Sequence, residues 1–371
     1  MRMVYGKIKN YETMLKKKIS QKICTYLIIS IVMVGCKESP DSGLVTISIP
    51  NSASAPVLLS EMSQEEARIQ LETKNGVFLG HIFEVKIHRN RLLISDIKRI
   101  SIFDMEGNFI QFLGKQGEGP GEYKSVTSMD IDEASGLIYV SAYNKLLIYG
   151  PDYMLIEERK LGYPIGYLKI LEGSLWVVSE EIGVEFGDEI ANQTNIYKLN
   201  HDLEISDTIP FKTVILDQIR VGGYGFRYWL SDIKEGLFMF MPVLTPENMI
   251  RDTLYQVKDN VVLPAVKFHF ERPQSFDKWG VQTLALLNIF NYHSYYILEY
   301  DQDYKRFMFL YDKKNKRGYN LRGGLIDDEG DPVFLRPMDL KEDLFYYIKK
   351  FEFEDKTVEE KNPIIGIVKL K

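Results

Sequence analysis

The chain has 371 residues, with 46 Lys+Arg against 52 Asp+Glu for a formal net charge of −6, and it is 45% hydrophobic and 26% charged. These proportions exclude a disordered chain and a polytopic membrane protein, and the acidic excess excludes a general nucleic-acid binder, which needs a basic footprint. The charge is unevenly placed: up to Gly35 seven basic residues stand against one acid, Glu12, leaving 39 basic and 51 acidic residues beyond, a net of −12. Length allows two domains of roughly 150 residues or one large all-β domain, and 23 Tyr with 20 Phe favour the all-β reading.

The first element is an apolar run from Ile23 to Gly35, preceded by Lys16-Lys17-Lys18 and Lys22 and followed by Cys36. It is too short to span a bilayer as a helix, which takes roughly 20 residues. A basic segment, a short apolar segment and a small residue before a cut site describe a secretory signal. Met33-Val34-Gly35-Cys36 resembles the bacterial lipobox, with Val34 where Ala or Ser is more usual. That resemblance implies lipidation at Cys36 after removal of residues 1–35. The basic cluster begins right after Met14, which reads as an alternative translation start. The only other cysteine, Cys24, lies inside the apolar run, so the mature chain is expected to have no internal disulfide and no Cys-based site. Residues 36–43 read as a polar tether. Lys37-Glu38 resembles, weakly, the acidic export tag of Bacteroides-type surface lipoproteins.

Beyond the tether, one pattern recurs: an apolar-alternating strand, a polar turn, and a second strand rich in aromatic and β-branched residues. It appears at Phe83–Asp96, Ser128–Ala142, Tyr167–Glu180, Trp229–Pro242, Tyr296–Asp312 and Phe334–Lys349. Most copies continue into a third strand with its own turn, as at Ile100–Phe112, Leu146–Glu158, Asn195–Ser206 and Asp252–Leu263. Each copy therefore reads as a four-stranded antiparallel meander. Six of them predict one six-bladed β-propeller over residues 44–371, an architecture that leaves only short, protected edges. Ring closure is expected from Leu44–Ile49 and Ile364–Leu370, which share a blade. Between the fourth and fifth copies, Phe276–Phe290 has helix-compatible apolar spacing and is expected to hold one short helix.

The segment Ile102–Ile110, followed by Leu113-Gly114-Lys115-Gln116-Gly117-Glu118-Gly119-Pro120-Gly121-Glu122-Tyr123, resembles the NHL-like repeat. It is similar to the first complete blade of the six-bladed β-propeller lipoproteins of Bacteroides-type bacteria. The resemblance implies a six-bladed propeller on an outer-membrane or secreted lipoprotein, and it supplies no catalytic residues. Its glycines do not make a phosphate cradle. Pro120 and Glu122 follow them instead of Lys-Ser/Thr opening a helix, and Glu118 repels phosphate. They read as a tight passage from one blade to the next.

No recognisable catalytic constellation is present. His81, His88, His201, His269 and His293 show no i,i+4 pair, and there is no HExxH or GxSxG. Asp327-Asp328-Glu329-Gly330-Asp331 gathers four carboxylates on a turn, yet the twelfth position from Asp327 is Met338 and not the glutamate of an EF-hand. A solvated turn is the simpler reading, as for Asp301-Gln302-Asp303. Aromatic residues crowd at Tyr224–Trp229 and Phe290–Tyr296. Their plainest role is to fill the wedges between blades. The alternative makes Tyr224, Arg227, Trp229, Tyr292 and His293 a ligand-binding set at the channel mouth.

The expected function is a binding or scaffolding module for a glycan, a peptide or a partner protein. The protein is expected on the outer membrane through its N-terminal lipid, facing the periplasm or the cell surface, without cofactor or metal and without nucleic acid. The rival is a metal-dependent propeller enzyme of the lactonase or sugar-lyase type with its site at the channel. Three or more inward carboxylates or imidazoles converging on one point are its signature.

Overall fold

The computed structural model describes residues 44–74, 76–216, 219, 227–243, 250–350 and 360–371. The expected signal, tether and Cys36 lie outside these residues, as does Tyr224. Two strands come first, β1 (Val45–Ile49) and β2 (Ser63–Gln70), with a single helical turn, α1 (Leu59–Met62), between them. Blade 1 is β3 (Glu84–Ile87), β4 (Arg91–Ser95), β5 (Ile100–Asp104) and β6 (Phe109–Leu113). Two-residue strands β7 (Lys115–Gln116) and β8 (Glu122–Tyr123) lead to blade 2, formed by β9 (Ser128–Ile131), β10 (Ile138–Ala142), β11 (Lys145–Tyr149) and β12 (Leu155–Lys160). Blade 3 is β13 (Tyr167–Leu171), β14 (Ser174–Phe186), β15 (Glu189–Leu199) and β16 (Ile205–Leu216). Blade 4 is β17 (Leu230–Ile233), β18 (Gly236–Met239), β19 (Thr253–Lys258) and β20 (Val261–Phe270). Blade 5 is β21 (Leu284–Asn291), β22 (Tyr295–Gln302), β23 (Lys305–Asp312) and β24 (Arg317–Arg322). After β25 (Leu325–Ile326) and β26 (Pro332–Val333), blade 6 is β27 (Arg336–Asp339), β28 (Leu344–Lys349) and β29 (Ile364–Leu370), completed by β2. Six antiparallel four-stranded blades thus form the expected six-bladed β-propeller.

The middle strands of a blade are covered on both faces, which is why these segments read as near-continuous apolar runs. On β4, Leu92 and Ile94 pack toward blade 6 with Tyr346 and Ile365, while Leu93 packs toward blade 2 with Met129 and Val140. β11 repeats the division: Leu147 and Tyr149 join the blade 1 interface, Leu146 and Ile148 that of blade 3. Period-2 alternation therefore assigns each side chain to one of two inter-blade cores. Truncating any one of them, as in Leu93→Ala, removes contacts worth about 2–5 kcal/mol.

The Gly-rich passage takes the role the sequence suggested. Tyr123 is buried and receives the Ile100 N–H at 3.3 Å, tying the passage to blade 1. Glu122 Oε2 accepts the Gly119 N–H at 3.1 Å, and Glu158 accepts that of Gly121. Two of its amides are thus spent on carboxylates, and that of Gly117 on the Tyr123 carbonyl. Gly114 has φ +69, and a Cβ there would meet the Tyr149 hydroxyl at 2.3 Å.

Closure differs from expectation in one partner. β29 does close the ring, but it pairs with β2, in register Gln70↔Ile364 and Glu66↔Val368. β1 instead adds in parallel to the outer edge of blade 4, with Val45 opposite Val266 and Ile49 opposite Phe270. β2 is an outermost strand that buries only Ile69, so its sequence, Ser-Gln-Glu-Glu-Ala-Arg-Ile-Gln, carries no apolar alternation. The expected helix at 276–290 is also absent. Leu284–Asn291 is the innermost strand of blade 5, buried along most of its length, and such a strand cannot be told from a buried helix by periodicity. In consequence the Tyr296–Asp312 hairpin is the second and third strands of its blade and not the first two.

Candidate functional site

Each innermost strand has an edge without a sheet neighbour, so its N–H groups need other acceptors. Side chains of the preceding blade supply several. Glu84 Oε2 on β3 accepts the Met129 N–H of β9 at 3.1 Å. Ser128 Oγ and Asp130 Oδ2 on β9 accept those of Leu168 and Ile170 on β13 at 3.3 and 2.8 Å. Ser231 Oγ on β17 accepts that of Asn291 on β21 at 3.2 Å. Residues two apart share a strand face. The geometry that places Glu84, Ser128 and Tyr167 on one face therefore places Lys86, Asp130 and Lys169 on that face one step further along.

These three side chains form a charged floor. Lys86 Nζ lies 2.9 Å from Asp130 Oδ1 and 3.3 Å from Glu84 Oε1, and Lys169 Nζ lies 3.5 Å from Asp130 Oδ2. All four are nearly buried, Lys169 being the most exposed at 17%. Burial pushes the Glu84 carboxyl up, against the pull of Lys86. Burial acts the same way on Asp130, but Lys169 and Lys86 together hold it below its ordinary value. Both ammonium groups are opposed by burial and still lifted, Lys86 by Asp130 and Glu84, and Lys169 by Asp130. Asp130 is thus ionised between two charged lysines. Lys86 donates a hydrogen bond to it, whereas Lys169 only approaches an oxygen already taken by the Ile170 N–H.

Above this floor opens a cavity of about 610 Å³ with Tyr228 on its wall. The volume is within the usual range of small-ligand sites, roughly 300–1,000 Å³. Its rim carries Asp132, Glu133, Glu172, Asp232 and Asp339, against the single cation Lys341, which is paired with Asp232 at 2.5 Å. The mouth therefore has an acidic collar over a lysine-bearing base. Near it the buried hydroxyls of Tyr167 and Tyr346 have no hydrogen-bond partner among the described residues, and both lie within the field of Glu84.

The residues singled out from the sequence are placed differently. Trp229 is 2% exposed and packs 6.1 Å from the Tyr167 ring, and Tyr292 is fully buried and stacked at 4.0 Å on Phe345. Both fill wedges between blades and offer no exposed ring. Arg227 is half-buried just before β17. His293 lies half-exposed, 3.6 Å from Glu235. None of these four lines the mouth cavity, whereas their neighbour Tyr228 does. Lys86, Asp130 and Lys169 escaped the sequence reading, although a signal was present. Val85-Lys86-Ile87, Met129-Asp130-Ile131 and Leu168-Lys169-Ile170 put one charge between two apolar residues at the same register of three successive repeats.

The acidic loop is filled from within the chain. Lys349 Nζ stands 2.7 Å from Asp327, 2.8 Å from Glu329 and 2.7 Å from Asp331, at the centre of the carboxylates that a calcium ion would need. Arg68 of β2 pairs with Asp328 and Glu329. The loop thereby staples β28 and β2, two strands of the closing blade. Asp301 and Asp303 are likewise paired, with Arg306 and Arg272. Among the described residues no group of three His, Cys, Asp or Glu is disposed to hold a metal ion.

Comparison with known proteins adds the following. A family model described as a domain of unknown function (DUF4934) matches residues 44–369, which is nearly the whole propeller. No curated protein matches the sequence. Among solved structures, a protein of Bacteroides fragilis NCTC 9343 described as exported is similar at TM-score 0.63 and 19% identity, covering 88% of this chain and all of that one. The β-propeller domain of Myceliophteria thermophila Cps50 (Swd1) is similar at TM-score 0.45 and 11% identity, covering 83% of this chain and all of its own. The extracellular domain of a one-component system protein of B. thetaiotaomicron is similar at 0.40 and 11%, covering 81% of this chain and 35% of that one. At these identities the likeness concerns the fold.

Proposed function

The chain belongs to the DUF4934 family, whose match spans its propeller, and from that premise we propose that it is a cell-envelope binding module taking a small polar ligand into the channel mouth. The ligand is part of a glycan or a peptide and carries an anionic or strongly polar oxygen for Lys169. The observation that carries this reading is the Lys169 ammonium at the base of the 610 Å³ cavity, with its nearest carboxylate oxygen 3.5 Å away and already engaged. A ligand oxygen at Lys169 gains a charge-assisted hydrogen bond, stronger than a neutral one. The collar of carboxylates supplies acceptors for hydroxyl or amino groups of the same ligand.

Location enters the proposal from the sequence. The lipobox-like Met33–Cys36 implies a lipid on Cys36 and an outer-membrane address, facing the periplasm or the cell surface, and the exported relative from Bacteroides fragilis agrees with passage out of the cytoplasm. The NHL-like lipoprotein resemblance belongs to the same proposal. Labelled palmitate is expected in the wild type and absent from Cys36→Ala; equal labelling of both refutes the lipid.

The binding reading is tested by probing glycan and peptide arrays with the wild type and with Lys169→Met, which keeps the length of the side chain and removes its charge. Signals that vanish in the variant while its melting temperature stays within a few degrees support the mouth as the site. Identical array profiles overturn it.

A further inference from the structure

A second cleft, which shares no lining residue with the channel mouth, lies between the β3–β4 turn of blade 1 and the β11–β12 turn of blade 2. It encloses about 320 Å³ and is lined by Arg89, Arg91, Gln111, Pro151, Asp152 and Tyr153. In a chain with so large an acidic excess, arginines usually find carboxylates. Here neither guanidinium makes an ion pair or a hydrogen bond among the described residues. The three nearby acids are turned into their own loops. Asp104, opposite Arg91 in the sheet register, accepts the Asn108 N–H and side-chain amide at 2.7 and 2.9 Å. Asp132 accepts from Ala134 and Ser135, and Asp152 accepts the Met154 N–H at 3.1 Å.

The walls are built firmly. Arg91 lies over the Tyr153 ring at 5.5 Å, and Tyr153 is itself buried against His88, whose Nδ1 is 3.3 Å from its hydroxyl. His88 Nε2 bonds the Gly136 carbonyl at 3.1 Å, so the imidazole joins the two blades beneath the cleft. Burial, with Arg89 and Arg91 adding to it, lowers the His88 pKa and keeps the ring neutral. Arg89 lies against Gly136, where an added Cβ would stand 3.2 Å from its Nη2 and 3.3 Å from Pro151.

We propose that this cleft is a second binding site, in which Arg89 and Arg91 together hold an oxyanion, the sulfate, phosphate or carboxylate group of a larger polar ligand. Two guanidiniums facing one cleft, neither of them ion-paired with the Asp152 that also lines it, match the fork geometry that recognises such groups. The proposal does not depend on the channel mouth.

The test is titration calorimetry at low ionic strength with inorganic sulfate, inorganic phosphate, glucuronate and neutral glucose. The proteins compared are the wild type, Arg89→Gln, Arg89→Gln/Arg91→Gln and Lys169→Met. The expected result is millimolar or tighter binding of at least one anion, no binding of glucose, and at least about tenfold weaker binding by the double variant, as for loss of one charge-assisted contact or more. Anion binding that is lost in Lys169→Met and kept by the arginine variants belongs to the channel mouth and overturns the proposal, and the preferred anion names the chemical source. Arg89 is exposed, so its single variant carries the test if the double variant does not fold. Failure of all three anions to bind at millimolar concentration, or equal affinities in the wild type and the arginine variants, overturns the proposal.

Discussion

Replacing Lys349 by Met tests how the ring is held shut. The ammonium is 11% exposed and contacts three carboxylates, of which Asp327 is fully buried while Glu329 and Asp331 are 57% and 60% exposed. Removing one partner of a buried pair costs about 3–5 kcal/mol, whereas exposed pairs contribute about 0–1 kcal/mol each. Asp327 keeps the N–H groups of Glu329 and Asp331 at 3.0 and 2.8 Å, which soften the loss. Because those amides remain, a destabilisation of about 2–3 kcal/mol is expected, at or just below the foot of the buried-pair range. With an unfolding entropy of roughly 0.7 kcal/mol per kelvin for a propeller of this length, that is a fall of about 3–4 °C in melting temperature. The variant also leaves a cluster of carboxylates with no cation at its centre. Calcium at millimolar concentration is therefore expected to raise the melting temperature of Lys349→Met and to leave the wild type unmoved, read by differential scanning calorimetry. The acid side has a defined sign. Burial opposes, but Lys349 and the loop amides hold the Asp327 carboxyl below its ordinary value. Its contribution is present above the unfolded pKa near 3.8 and is lost as pH falls through the folded value, so the two proteins converge in acid. An unchanged melting temperature in the variant, or an equal calcium shift in both proteins, refutes the staple.

Three further outcomes follow from the same structure. Ending the chain at Pro363 removes β29, which pairs with both β28 and β2, and is expected to abolish cooperative thermal unfolding; an unaltered transition contradicts this mode of closure. Gly107 and Gly330 have nearly the same φ, +88 and +89, but a Cβ at Gly107 would stand 2.0 Å from the Gln70 carbonyl oxygen while nothing lies within 4 Å at Gly330. Alanine at Gly107 should therefore cost about 1–3 kcal/mol more than at Gly330 in denaturant titrations, and equal costs refute the close approach. Burial lowers the Lys212 ammonium to about 8. Because the unfolded lysine binds its proton more tightly, the wild type gains stability as pH rises from 8 toward 10.5, by up to about 3 kcal/mol at 1.36 kcal/mol per pKa unit. Lys212→Met should be the more stable protein at pH 7 and lose most of that advantage by pH 10; a pH-independent difference refutes the assignment.

How much of this was legible in the sequence depended on how each segment is buried. Strands such as Leu92–Ile94 and Leu146–Tyr149, covered on both sides by neighbouring blades, announce themselves as apolar runs between turn residues, and the blade count follows from them. β2 was silent because an outermost strand that buries only Ile69 has no alternation to show. Leu284–Asn291 misled for the opposite reason, since near-complete burial erases the period that separates strand from helix. The aromatic clusters drew attention by their chemistry. Yet Trp229 and Tyr292 are bulk between wedge-shaped blades, and the mouth is built from charges placed singly in strand centres. Lys86, Asp130 and Lys169 become conspicuous only when the inner strands are set in register. The pairing of Lys349 with Asp327 spans blade 6 and the connection before it, and no local pattern reveals it.

We propose above that the channel mouth binds its ligand through Lys169. The most direct measurement is titration calorimetry of the strongest array ligand against the wild type, Lys169→Met and Arg89→Gln/Arg91→Gln. The expected result is a one-to-one complex whose affinity falls at least about tenfold in Lys169→Met, as for one lost charge-assisted hydrogen bond, and is unchanged in the arginine variant. Undiminished affinity in Lys169→Met, with the fold intact, contradicts it.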